Sequence, residues 1–108
     1  MSEFVDNLHE VFVEFGDIQA KRMFGGYGIY HDGLMFALVA DDTLYLKVDA
    51  KNRVHFDELD LPAFEFSKQG KRVKMSYRLA PATLFDDPPE AKRWASLAFE
   101  AALRSGKK

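Results

Sequence analysis

Arg22-Met-Phe-Gly-Gly-Tyr-Gly-Ile-Tyr-His-Asp-Gly-Leu-Met-Phe-Ala-Leu-Val-Ala-Asp-Asp-Thr-Leu-Tyr-Leu-Lys47 decides the fold. Asp32-Gly33 stands between two aromatic-rich runs, and a type I′ hairpin needs two central residues that accept positive φ. Lys21–His31 therefore reads as one strand and Leu34–Ala40 as the next. Leu34–Ala40 is apolar on both faces, which places it inside the sheet. Asp41-Asp42 turns the chain again. In Thr43–Val48, Leu44, Leu46 and Val48 alternate with Tyr45 and Lys47, the period of a third strand. The three make an antiparallel meander.

Outward from this centre the periodicity changes. Phe4, Val5, Leu8, Val11, Phe12 and Phe15 recur at helical spacing, so a helix is expected over Glu3–Phe15, with Ser2 as its N-cap and Gly16-Asp17 as its stop. Asp49 caps a second helix expected over Ala50–Leu59. Ala63–Ser67 and Arg72–Leu79 read as two further strands around a turn at Lys-Gln-Gly. Asp87-Pro88-Pro89-Glu90 carries an N-cap acceptor, proline at the first helical position and Glu at the third. The last helix should run to about Arg104, burying Trp94, Leu97, Ala98, Ala101 and Ala102, with Gly106 following its end. The order α-β-β-β-α-β-β-α predicts an α+β fold of two layers: a five-stranded antiparallel sheet with three helices on one face.

The chain's 108 residues fit one small domain. A domain of that size buries roughly 65% of its extended surface, enough for one core. Ten Phe, four Tyr and one Trp within a 47% hydrophobic composition exclude disorder. A net charge of −2 gives no general attraction to nucleic acid or acidic membranes. With no cysteine, disulfides and thiolate chemistry are excluded. No run approaches the ~20 apolar residues of a membrane helix, and Met1–Glu10 lacks a secretory leader's basic start, so the expectation is a cytoplasmic protein without membrane contact.

Four glycines between Gly25 and Gly33 raise the question of a phosphate loop. Such loops open a helix, where free N–H groups and the helix dipole converge on an anion. Here Ile29-Tyr30-His31 follows instead, with no Gly-Lys-Ser/Thr. Gly25, Gly26, Gly28 and Gly33 are therefore read as structural: Gly25 and Gly26 as a bulge or sharp bend, Gly28 as a point of close approach, Gly33 as the hairpin turn. His9, His31 and His55 have no metal-ligand spacing. The carboxylate pairs Asp41-Asp42, Asp57-Glu58 and Asp86-Asp87 read as turn, helix surface and cap. No catalytic residue, cofactor or metal is expected.

One charge feature remains. From Ser67 to Arg78 there are five cations and no acid. Alternation sets Val73, Met75 and Tyr77 on one face and Arg72, Lys74 and Arg78 on the other. With the helices on the apolar side, Arg72, Lys74 and Arg78 should join Tyr45 and Lys47 on the opposite face. Such a face suits a protein partner or a homodimer, and the alternative is single-stranded nucleic acid held by stacking and phosphate contacts. A small-molecule or nucleotide enzyme using Gly25–Gly28 is a further alternative.

Arg22-Met23-Phe24-Gly25-Gly26-Tyr27-Gly28-Ile29-Tyr30, Asp32-Gly33-Leu34-Met35-Phe36-Ala37-Leu38, Leu44-Tyr45-Leu46-Lys47 and Met75-Ser76-Tyr77 together resemble the TfoX (Sxy) N-terminal domain family, from about residue 10 to 104. The resemblance implies a secretion-chaperone-like α+β fold with strand order 1-2-3-5-4. It also implies a non-enzymatic role in regulating natural competence and transcription, with no catalytic residues to carry over. Full-length regulators of that family carry a second, helical domain, and the family's Met-Ser-Tyr-Tyr becomes Met75-Ser76-Tyr77-Arg78 here.

Overall fold

The computed structural model describes residues 2–23, 25–68 and 70–106, and its description of side chains leaves out 66–68 and 71–75. In chain order the elements are α1 (Glu3–Val11), β1 (Gln19–Met23), β2 (Gly26–His31), β3 (Leu34–Ala40), β4 (Thr43–Lys47), α2 (Arg53–Asp57), β5 (Ala63–Lys68), β6 (Lys71–Leu79), a 3-10 helix (Ala82–Asp86) and α3 (Pro88–Gly106). The strands form one antiparallel sheet in the order β1-β2-β3-β4-β6-β5. The α+β class and the run of hairpins agree with the sequence reading.

The strand count does not. The expected first strand is two, because the chain reverses between Met23 and Gly26, which pair with each other. Gly25 lies at φ +77 within that reversal, a conformation in which Cβ-bearing residues are strained. Gly25 thus lies in a complete hairpin turn rather than a bend, and β1 is added to the outer edge of the expected order. The other two turns follow the sequence: Asp32 and Gly33 at φ +50 and +80, Asp41 and Asp42 at +52 and +53. The register shifts instead between Ile29 and Tyr30 in the pairing with β3, and between Ala63 and Glu65 in the pairing of β5 with β6.

The helices are shorter or longer than expected at their ends. Ser2 Oγ accepts the Val5 N–H at 3.1 Å, capping α1, but regular helix stops at Val11 and turns carry the chain to Gly16. Asp49 caps a turn instead of the helix: its Oδ1 accepts the Lys51 and Asn52 N–H groups, and α2 begins only at Arg53. Asp87 Oδ1 accepts from Glu90 N at 3.3 Å at the start of α3, as its spacing requires. Gly106 lies within the last turn of α3, not beyond it.

The core lies between one sheet face and the helices. Ile29, Phe36, Ala37, Val39, Leu44 and Leu46 meet Val5 and Leu8 of α1, Phe12 at its C-terminal cap, Phe56 of α2, Leu84, and Trp94 of α3. Phe12 and Phe36 meet edge to face at 5.7 Å, and Phe56 and Trp94 at 5.1 Å. Each such large side chain, fully buried, contributes about 1.5–3 kcal/mol. Ala91, Ala95 and Ala98 are wholly buried along α3, and their small size lets that helix lie close to the sheet. His31, at the end of β2 beside the Asp32-Gly33 turn, is drawn into this layer. Its ring lies 4.5 Å from Phe15 and 5.0 Å from Phe99, and its Nδ1 is 2.6 Å from the Asp17 carbonyl oxygen.

Candidate protein-interaction face

Residues opposite one another in an antiparallel pair share a face. Ala37 and Val39 pair with Leu46 and Leu44, so these four define the helix side. Their neighbours point the other way. From β1 to β6 the second face therefore carries Lys21 and Met23, Gly28 and Tyr30, Met35 and Leu38, Tyr45 and Lys47, and Tyr77. Among the described residues, no helix packs over it.

This face is aromatic, apolar and cationic. Lys21 Nζ sits 4.7 Å from the centre of the Tyr30 ring, and Lys47 Nζ 5.1 Å from that of Tyr77. Tyr45 and Phe64 of β5 meet at 4.7 Å. A cation over a ring is attracted by the ring quadrupole, worth about 0.5–1 kcal/mol at an exposed site. The lysines are thereby held down on the sheet, their stems covering apolar surface. Gly28 is the low point of the face. A Cβ there would meet the Met23 and Met35 sulfurs and the Tyr30 ring within about 3 Å. Leu38 and Tyr77 are each only 6% exposed, although both lie on the side away from the helices. Burial, and then the charge of Tyr30, push the Tyr77 hydroxyl up to about 12.

The sequence reading placed Arg78 beside Tyr45 and Lys47. The structure places it on the other side. Lys47 pairs with Tyr77 and Leu46 with Arg78, so Arg78 points toward α2. Its Nε donates to the Leu61 carbonyl at 2.7 Å, its Nη1 to Asp57 Oδ1 at 2.6 Å, and its guanidinium lies 5.9 Å from the Phe56 ring. Tyr77, expected in the core, takes the open-face position. The side chains of Arg72 and Lys74 lie outside the described residues. Tyr45 and Lys47 share the open face. Lys21, Met23 and Tyr30 were missed because β1 was not separated from β2, and Met35 because Leu34–Ala40 is apolar on both faces. Once the turn at Gly25 is placed, the same alternation that puts Ile29 inward puts Gly28 and Tyr30 outward.

The glycine stretch opens a strand, not a helix. A Cβ on Gly26 would lie 2.0 Å from the Val39 carbonyl oxygen, so β2 meets the end of β3 too closely for a side chain. Gly26 and Gly28 lie within β2, Gly26 paired with Met23 of β1 and Gly28 with Lys21 of β1 and Leu38 of β3. No group of three or more metal-binding side chains occurs among the described residues. No helix among them is long and apolar enough to cross a membrane.

These features define an α+β domain with one sheet face closed by helices and the other left as an aromatic and cationic surface. The chain belongs to the TfoX N-terminal domain family, whose model matches residues 10–102. It is similar to the DNA transformation protein TfoX1 of Aliivibrio fischeri, 30% identical over 77 residues, covering 68% of this chain and 37% of that protein. It is also similar to the protein Sxy of Escherichia coli K12, 24% identical over 95 residues, covering 88% of this chain and 46% of that protein. The chain thus spans less than half the length of either relative.

Proposed function

We propose that this chain is a regulatory module for DNA transformation, in line with the name of its Aliivibrio relative, and that it acts by binding a protein rather than by catalysis. The binding surface is the open sheet face around Tyr45 and Lys47, and the protein bound is a separate regulator or a second copy of the chain. The observation that carries this reading is the pinning of Lys21 and Lys47 over Tyr30 and Tyr77. Aromatic rings with restrained cations lose little side-chain freedom on contact and suit the centre of a protein interface.

Sedimentation and affinity capture test it. A mass above the monomer, or a captured partner, should be lost in the Tyr45→Ser/Lys47→Glu variant while the fold persists. A strict monomer that captures nothing speaks against the reading. Nucleic acid is the second candidate, supported by the same lysines and rings. Its support is thinner, since Arg78 is engaged with Asp57 on the other side. Binding of labelled single or double strands that falls steeply with salt favours it, and no binding at low salt removes it.

A further inference from the structure

Strand β1 is an outer edge of the sheet, with β2 on one side only. Alternate residues of an edge strand direct their N–H and C=O groups away from the neighbouring strand. Among the described residues, no backbone hydrogen bond beyond the sheet ladder involves Gln19–Met23. The outward groups of β1 are therefore free to pair.

The edge reads Gln19-Ala20-Lys21-Arg22-Met23, two cations and no acid. Successive residues point to opposite faces, and the register bears this out: Lys21 pairs with Gly28 on the open face, Arg22 with Tyr27 on the helix side. Arg22 is exposed and makes no ion pair among the described residues. Past Met23 the edge runs into a hollow of about 420 Å³ lined by Arg22, Met23, Gly25, Gly26 and Tyr27.

We propose that β1 is a docking edge for an extended acidic peptide segment, which adds to the sheet as a further outer strand. The main chain of the peptide would satisfy the outward groups of β1, and its charge would select it. Two consecutive acidic residues fit best. Being neighbours on a strand, one would face Lys21 on the open side and the other Arg22 on the helix side. A second copy of the chain is the poorer occupant. Antiparallel pairing of two β1 strands about a two-fold axis centred on Lys21 or on Arg22 sets that cation directly opposite its own copy, and like charges directly opposite destabilise a strand pair. The same cations that guard this edge against its own kind attract an oppositely charged strand.

This inference goes beyond the open-face reading, because Arg22 does not lie on that face and the two surfaces can be tested apart. The probes are fluorescein-labelled Thr-Val-Glu-Glu-Val-Thr and its counterpart with Lys-Lys at the centre, measured by anisotropy at low salt. The acidic peptide should bind and the basic one should not. Arg22→Glu, an exposed substitution checked for folding by circular dichroism, should weaken the acidic peptide at least tenfold, and Lys21→Glu should act likewise. Hydrogen exchange should show outward amides within 19–23 becoming protected when the peptide is added. The idea is overturned if the acidic peptide fails to bind. Equal affinity for the basic peptide, indifference to Arg22→Glu, protection confined to other strands, or displacement by a short oligothymidylate also overturns it.

Discussion

The Arg104 guanidinium grips both carboxylate oxygens of Asp49: Nε to Oδ2 at 2.6 Å and Nη2 to Oδ1 at 3.0 Å. The contact ties the last turns of α3 to the loop that leaves β4, across 55 residues of chain. Together with the Asn52 and Lys51 N–H groups, and against the opposing effect of burial, it holds the Asp49 carboxyl down at about 2 from its ordinary 3.8. Because the folded value lies below the unfolded one, the stabilisation is full above about pH 4 and fades as pH falls toward 2. Asp49→Asn should therefore cost about 1–2 kcal/mol at pH 7, after allowance for solvent screening. Urea titrations should show the difference from the parent chain shrinking between pH 4 and pH 2. A gap of constant size over that range would contradict the assignment.

Asn52 lies beneath this pair and is 2% exposed. Its amide donates to the Lys47 and Leu97 carbonyls, both at 3.1 Å, and its Oδ1 accepts the Asp49 N–H at 2.8 Å. Asn52→Ala strands those groups and should cost about 2–4 kcal/mol. Asn52→Asp keeps the shape but cannot donate when ionised. Its deficit, read from thermal melts, should be larger at pH 7 than at pH 4.

Two neighbouring glycines should respond differently to alanine. At Gly26 the added Cβ would strike the Val39 carbonyl, and backbone cannot swing aside as a side chain can. Gly26→Ala should cost upwards of about 3 kcal/mol or prevent folding. At Gly25 there is open space, and only the φ of +77 resists. Gly25→Ala should cost about 1–2 kcal/mol. Denaturation midpoints that reverse this order would overturn the reading of the turn.

Tyr77 titrates at about 12 in the folded chain, above its ordinary 10.0. Its neutral form is the one the fold favours, so its contribution is complete below pH 10 and is lost as pH rises from 10 to 12. Tyr77→Phe should remove that alkaline loss. A 295 nm titration of the variant should lack the latest phenolate step, and its stability should decline less steeply above pH 10 than that of the parent.

Arg78 should behave as a structural residue. Arg78→Lys keeps the charge but cannot reproduce two bonds from one planar fork, to Leu61 and Asp57. A loss of about 1–2 kcal/mol is expected, set mainly by the orphaned Leu61 carbonyl, since Asp57 is 55% exposed. Partner capture by the folded variant should match the parent. A variant of normal stability that loses its partner would return Arg78 to the binding surface.

The residues alone determined the α+β class, the run of hairpins and the two turns at Asp-Gly and Asp-Asp. Those features rest on patterns a few residues long: the period of two in Leu44-Tyr45-Leu46-Lys47, the spacing of Phe4, Leu8 and Phe12, and paired residues that tolerate positive φ. Only the tertiary structure decided that the glycine stretch folds back on itself, and that Tyr77 rather than Arg78 stands beside Lys47. Alternation says that Tyr77 and Arg78 face opposite ways. Which of them faces α2 depends on the register between β4 and β6, strands some thirty residues apart. Arg78 is tolerated on the inner side because Asp57, Phe56 and the Leu61 carbonyl, all brought there by α2 and the loop after it, receive it. No local pattern carries that information, since the partners that make an inward arginine stable meet it only when the chain has folded.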